Sequence, residues 1–212
     1  MTTPRQVDCV VFDLGGVLFS EGKGVAANSL YERFGYDPDR IVGILSGDAS
    51  VALRRGLITT TDFIHQIRGD LPAYDGEAIV QAWRAGYQLN ERVAGLVQFA
   101  RAHGQRTIAF SDTTRERIAY LERNYRFRRL FDVELYSYEH GLLKDDAEFN
   151  ERLLGAAGVA PGRIAFIDDS AEQLEFTHQF GVITILFEPR RIAEVERTVG
   201  VLGGIATAQA TS

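Results

Sequence analysis

Three apolar runs in this chain end in acids or a hydroxyl. Val-Val-Phe leads into Asp13, Ile-Ala-Phe into Ser111 and Asp112, and Ile-Ala-Phe-Ile into Asp168 and Asp169. Each run reads as a buried strand, and in open α/β sheets ligands bind beyond the carboxyl ends of the strands. Carboxylates delivered to one sheet edge repel one another unless a cation sits among them. An all-oxygen donor set with few ligands suits Mg²⁺, which keeps several waters and completes its shell with substrate oxygens. Lys144, in a loop-like stretch ahead of a helix, adds a point charge able to hold a carboxylate and a phosphoryl oxygen. A carboxylate nucleophile, a metal, a lysine and a hydroxyl together form a set that can attack phosphorus.

Each residue also has a plainer reading. Asp13 suits a turn after a strand, Ser111 and Asp112 suit the start of a helix, and an isolated lysine suits a surface. Asp168 and Asp169 are harder to dismiss, because adjacent acids ending a buried strand are costly without a cation or donors.

The elements that must position these residues follow from the apolar pattern. Strands are predicted over residues 7–12, 107–110, 164–167 and 182–187, with a weaker one over 132–136. The four main runs lack strict alternation, as parallel strands covered on both faces do. Between them lie helical patterns: one capped by Asn90 and ending at Gly104, and others over 114–125, 147–157 and 171–180. The alternation predicts a doubly wound α/β fold with a parallel sheet. Residues 20–87 break that rhythm. They read as short helices separated by Gly35, Pro38, Gly47, Gly56, Gly69 and Pro72. The expected organisation is therefore an α/β core of 1–19 and 88–212 with a helical insertion at 20–87. Residues 203–212 are small and polar and are expected to fray.

The 212 residues carry a formal net charge of -6, which argues against sequence-independent nucleic-acid binding. Arg115, Arg117, Arg123, Arg126, Arg128 and Arg129 crowd one stretch; Glu116 and Glu122 among them predict a solvated, salt-bridged helix face. The single cysteine, Cys9, reads as a buried structural thiol. With no signal-like start and no apolar stretch near the length of a membrane span, a soluble, cytoplasmic setting without membrane contact is expected. A monomer or a homodimer fits.

Taken in order, these segments resemble the four motifs of the haloacid dehalogenase superfamily. Val-Val-Phe-Asp13-Leu-Gly-Gly is similar to the first and Ile-Ala-Phe-Ser111-Asp-Thr to the second. Ser137-Tyr-Glu139-His-Gly141-Leu-Leu-Lys144 resembles the third, and Ile-Ala-Phe-Ile-Asp168-Asp169-Ser the fourth. The insertion at 20–87 lies where capped members carry a helical cap. The resemblance implies an aspartyl-phosphate on Asp13 and Mg²⁺ held by Asp13, the Gly15 carbonyl and Asp169, with Asp168 in or near its outer shell. It implies that Ser111 and Lys144 hold the phosphoryl group of a small phosphorylated metabolite.

The pattern departs from the family at three places. Most of its phosphatases carry an acid/base Asp two residues after the nucleophile, where this chain has Gly15. Asp112 stands where Asn or Gly is usual, and Asp145 where Pro is usual. General acid–base catalysis is worth about 10²–10⁴-fold, so another group must serve; Asp112 is the candidate. The expected activity is Mg²⁺-dependent phosphomonoester hydrolysis. The alternatives are a non-catalytic binding or regulatory protein, favoured by Gly15 and Asp112, and a metal-independent haloacid dehalogenase. A mutase fits less well, since it needs proton transfer at position 15. Glu21, Lys23, Arg54 and Arg55 are candidate specificity residues, and Trp83 and Tyr87 are expected to pack the junction between insertion and core.

Overall fold

The computed structural model describes residues 7–71 and 73–202. Pro72 and the stretch 203–212, for which a helix break and fraying are expected above, lie outside the described residues.

Five parallel strands form one sheet: β1 (Cys9–Phe12), β2 (Arg106–Ser111), β3 (Val133–Tyr136), β4 (Ile164–Asp168) and β5 (Ile183–Leu186), in the order β3-β2-β1-β4-β5. Successive side chains on β1 explain the unbroken apolar runs. Cys9 and Val11 pack on one face with Phe110, Phe149 and Phe166, while Val10 and Phe12 face the other with Val97, Ile118 and Leu121. Both faces are covered, so both sets must be apolar. Burial pushes the Cys9 thiol up to about 12, as an inert structural cysteine requires. The expectation of full burial fails at β5, where Leu186 is 43% exposed. The strand lies at the sheet edge with one neighbour, and only its flanks, Val182 and Phe187, are buried.

Between β1 and β2 run six helices: α1 (Gly22–Phe34), α2 (Pro38–Ser46), α3 (Asp48–Arg54), α4 (Thr60–Asp70), α5 (Gly76–Ala85) and α6 (Glu91–Ala102). Residues 20–87 thus contribute α1 to α5, whose buried Leu30, Ile41, Leu45, Phe63, Ile79 and Trp83 are continuous with the core. Asn90 caps α6 by accepting the N–H groups of Arg92 and Val93. Five helices complete the layers: α7 (Arg115–Tyr125), α8 (Ser137–His140), α9 (Ala147–Ala157), α10 (Ala171–His178) and α11 (Ile192–Leu202). Thr114 caps α7, Ser170 caps α10, and Gly158 closes α9 in the left-handed conformation at φ 67°. The sequence pattern assigns no helix to 192–202. There α11 buries Val195 and Val199 and ties to α6 through an Arg92–Glu196 ion pair.

Strand order reverses beside β1: β2 and β3 lie on one side of it, β4 and β5 on the other. Ligand crevices of doubly wound sheets form at such a switch point. No described helix is long and apolar enough to cross a membrane.

Candidate active site

Register puts the acids side by side. Phe12 lies opposite both Ala109 of β2 and Ile167 of β4, so Asp13 and Asp168, the residues that follow, sit side by side at the carboxyl edge of the sheet. The Asp13 N–H donates to the Ile167 carbonyl at 3.0 Å, extending the ladder by one rung. Asp13, Asp168 and Asp169 can each bring a carboxylate oxygen within 4.8 Å of the others.

Lys144 enters from the turn between α8 and α9. Its Nζ stands 3.0 Å from Asp13 Oδ1 and 2.5 Å from Asp168 Oδ2, with all three side chains buried. Burial alone would lower the ammonium's pKa, but Asp13, Asp168 and Asp112 outweigh it, and Lys144 is held charged. Burial pushes the Asp13 carboxyl up; Lys144 opposes this, while Asp168 and Asp169 add to it, leaving Asp13 above the usual carboxylate range. Asp169, the most open of the three, is pushed up to about 6 by burial and by its neighbour Asp168. The remaining oxygen of Asp168 accepts the Ser170 N–H at 2.8 Å.

The donor set fits a divalent cation. Three carboxylates face one ammonium, an excess of two negative charges when all are ionised, and every donor is a hard oxygen. The chain beside the cluster is shaped to keep Asp169 close: Gly16 has φ +84°, and a Cβ there would lie 1.9 Å from Asp169 Oδ2. Gly15 lines the same cavity.

Ser111 ends β2 on the cavity wall and is buried. Asp112 Oδ1 accepts the Lys144 N–H at 3.0 Å, and its Oδ2 lies 3.9 Å from Arg54 Nη1. Burial raises the Asp112 carboxyl, against the pull of Lys144 and Arg54. The structure therefore gathers all seven residues singled out above, Asp13, Gly15, Ser111, Asp112, Lys144, Asp168 and Asp169, around one cavity of about 280 Å³.

The inserted helices supply the opposite wall. Glu21, Lys23, Arg54, Trp83 and Tyr87 line the cavity. Glu21 is committed to capping α1, its oxygens accepting the N–H groups of Lys23 and Gly24 at 2.7 Å each. Arg55 points elsewhere. Its Nη1 donates to the Gly141 carbonyl at 3.0 Å and to Asp146 Oδ2 at 2.5 Å, tying α3 to the loop that carries Lys144. Ser137 Oγ adds a second tie, accepting the Thr113 N–H and donating to the Arg54 carbonyl at 2.7 Å.

One residue contradicts the sequence expectation. Arg117 is no part of a solvated face: it is 6% exposed, lines the cavity, and lies with Cζ 4.1 Å over the Trp83 ring and 4.7 Å over the Tyr87 ring. Counting charges hid it. Helical spacing could have found it, because Arg117 shares its face of α7 with the buried Ile118 and Leu121. Arg128, by contrast, pairs at the surface with Glu134, as the solvated reading requires.

The family model of the haloacid dehalogenase-like hydrolases matches residues 7–181. An uncharacterised protein of Dictyostelium discoideum is 37% identical over 151 residues, which is 69% of this chain and 65% of that protein. The match thus spans just under two thirds of that relative's length. Among solved structures, a HAD family enzyme from Bacteroides thetaiotaomicron superposes with a TM-score of 0.71 at 21% identity, covering 90% of this chain and 99% of that one. The same enzyme in complex with magnesium and inorganic phosphate gives 0.72 at 22% identity, covering 86% and 94%. The L-2-haloacid dehalogenase of Xanthobacter autotrophicus gives 0.63 at 15% identity, covering 89% and 82%. At these identities the structural likeness is one of fold. The match over 7–181, which takes in Asp13, Ser111, Lys144, Asp168 and Asp169, makes the chain a member of the haloacid dehalogenase-like hydrolases.

Proposed function

We propose that this chain is a Mg²⁺-dependent phosphomonoester hydrolase that works through an aspartyl-phosphate on Asp13. The observation that carries the reading is the gathering of Asp13, Asp168 and Asp169 within 4.8 Å, with Lys144 bonded to the first two. Three carboxylates around one ammonium, an excess of two negative charges when all are ionised, call for a divalent cation. The complex of the Bacteroides enzyme with magnesium and inorganic phosphate, on the same fold, supports that choice.

Asp13, Asp169 and the Gly15 carbonyl would hold the ion, with Asp168 beside them orienting Lys144. When bound, Mg²⁺ neutralises charge on the phosphoryl oxygens and on the attacking carboxylate. Asp13 attacks phosphorus and the alkoxide leaves; water then cleaves the acyl phosphate and regenerates the carboxylate. Lys144 and Ser111 hold phosphoryl oxygens, the ammonium as a point charge and the hydroxyl as a donor.

Protonation of the leaving group falls to Asp112. Among the described residues, five carboxylates line the cavity. Asp13, Asp168 and Asp169 form the cluster and Glu21 caps α1, so Asp112 is the one left, and burial raises its carboxyl toward the proton-holding range. Residues 20–87 act as a cap that closes over substrate and limits water.

The test is hydrolysis of an aryl phosphate with and without Mg²⁺, run beside halide release from a 2-haloacid. Metal-dependent phosphate release supports the reading. Metal-independent halide release would replace it with the dehalogenase reading. Phosphate binding without either turnover would leave a binding protein, the reading that Gly15 favours.

A further inference from the structure

We propose that Arg117, packed over the rings of Trp83 and Tyr87, anchors a second anionic group on the substrate. The substrate class is then a small phosphomonoester that also bears a carboxylate or a second phosphate. The proposal deepens the phosphatase reading and rests on it for the chemistry at Asp13, but its observations are separate.

The first is an unpaired cation. Arg117 is 6% exposed, and its Nε and Nη2 are buried with no hydrogen-bond partner. Cζ lies over the Trp83 and Tyr87 rings, but rings accept no conventional hydrogen bond from the guanidinium N–H donors. A buried charge without partners is costly. Packing Trp83 and Tyr87 needs no guanidinium, whereas an anion entering the cavity does.

The second is the distribution of charge. Lys23 on α1, Arg54 on α3 and Arg117 on α7 reach the same cavity from three elements. Facing them are Glu21 and Asp112. Glu21 is held at the α1 N-terminus, and Asp112 is held by the Lys144 N–H. Away from the Asp13 cluster, three cations meet two acids, leaving room for an anion even with Asp112 ionised.

The third is where unmet polar atoms lie. Among the described residues, seven buried side-chain atoms lack both a hydrogen-bond and an ion-pair partner. Five belong to cavity residues outside the Asp13–Lys144 pair: Trp83 Nε1, Thr113 Oγ1, Arg117 Nε, Arg117 Nη2 and Gln173 Oε1. The cavity, about 280 Å³, is small. It suits a ligand of few carbons with a polar group at each end.

The test compares phosphorylated hydroxy-carboxylates of two to four carbons with their neutral carboxamides, and with bisphosphates of the same lengths. Wild-type kcat/KM is expected to favour a charged member over the carboxamide by about 10- to 100-fold, the worth of a charge-assisted hydrogen bond. The carboxylate and bisphosphate arms identify the group. Arg117→Met and Arg117→Gln are expected to abolish the preference and Arg117→Lys to keep part of it; near-UV circular dichroism checks each variant's fold. If Arg117→Met fails to fold, the Gln and Lys variants decide. A wild type that treats charged and neutral substrates alike, or a preference that survives in the neutral variants, overturns the proposal.

The same ratios measured by equilibrium binding to Asp13→Asn with Mg²⁺ separate this proposal from the one beneath it. Arg117-dependent binding without wild-type turnover would end the phosphatase reading and keep the subsite. Turnover without any preference for charge, in rate or binding, would do the reverse.

Discussion

The ring of Tyr87 fills the space into which a side chain at position 15 would project: a Cβ on Gly15 would lie 3.2 Å from Tyr87 Cε1. Gly22 packs against the same ring more tightly, its hypothetical Cβ meeting Tyr87 Cε2 at 2.3 Å. Gly15 and the aromatic wall are complementary, so an acid placed at position 15 alone should gain no function. Gly15→Asp is expected to cost about 1–3 kcal/mol through overpacking and to lower aryl phosphate turnover. Urea unfolding and steady-state rates check both; a faster enzyme would mean that Tyr87 yields and that position 15 still accepts an acid.

Lys144 is expected to hold the site together before any substrate arrives. Lys144→Met leaves Asp13 and Asp168 buried without their cation, a loss of about 3–5 kcal/mol for a broken buried pair. Without the ammonium, the Asp13 carboxyl, already raised by burial, titrates higher still in the folded chain. The folded state then holds protons that the unfolded state releases, so the destabilisation grows as pH rises from 5 to 8. Mg²⁺ should return part of it. Equal destabilisation at both pH values, or no response to Mg²⁺, would contradict the arrangement.

Metal binding by the wild type should depend on pH in the same direction. Asp13 lies above the usual carboxylate range and Asp169 is at about 6. A cation binds their deprotonated forms and releases protons. The increase in Tm on adding Mg²⁺ should therefore be small near pH 5 and grow through pH 6 to a plateau near 7.5. Thermal shift across that range is the measurement, and a shift independent of pH would remove these two residues as ligands.

Much of this site is legible in the sequence because its residues stand at element ends that apolar runs define. Asp13, Ser111 and Asp168 each follow a run buried on both sheet faces, and parallel register brings such ends together. Lys144 was placed by its motif spacing, whereas its contact with Asp168 belongs to a turn that no periodicity encodes. The burial of Arg117 is not legible from charge along α7, which says nothing about which face is buried; the helical period and the rings brought from α5 and beyond it decide that. The exposure of β5 is hidden for a similar reason, since an edge position is a property of strand order and not of composition.

Asp112 carries the prediction about proton transfer. Asp112→Asn keeps the shape and loses the acid, so turnover should fall by about 10²–10⁴-fold for an alkyl phosphate and much less for an aryl phosphate, whose leaving group needs no proton. The carboxylate also accepts the Lys144 N–H at 3.0 Å, a bond that the Asn carbonyl oxygen can still accept. An equal loss with both leaving groups would assign Asp112 to positioning Lys144 instead.

In the proposed mechanism Asp13 takes the phosphoryl group. Wild-type protein mixed with aryl phosphate and Mg²⁺, quenched in acid and digested, should yield a phosphorylated peptide containing Asp13. That species should be missing without Mg²⁺ and from Asp13→Asn, which should also have lost turnover. Undiminished hydrolysis by Asp13→Asn, or a phosphoryl group trapped on another residue, would contradict the account.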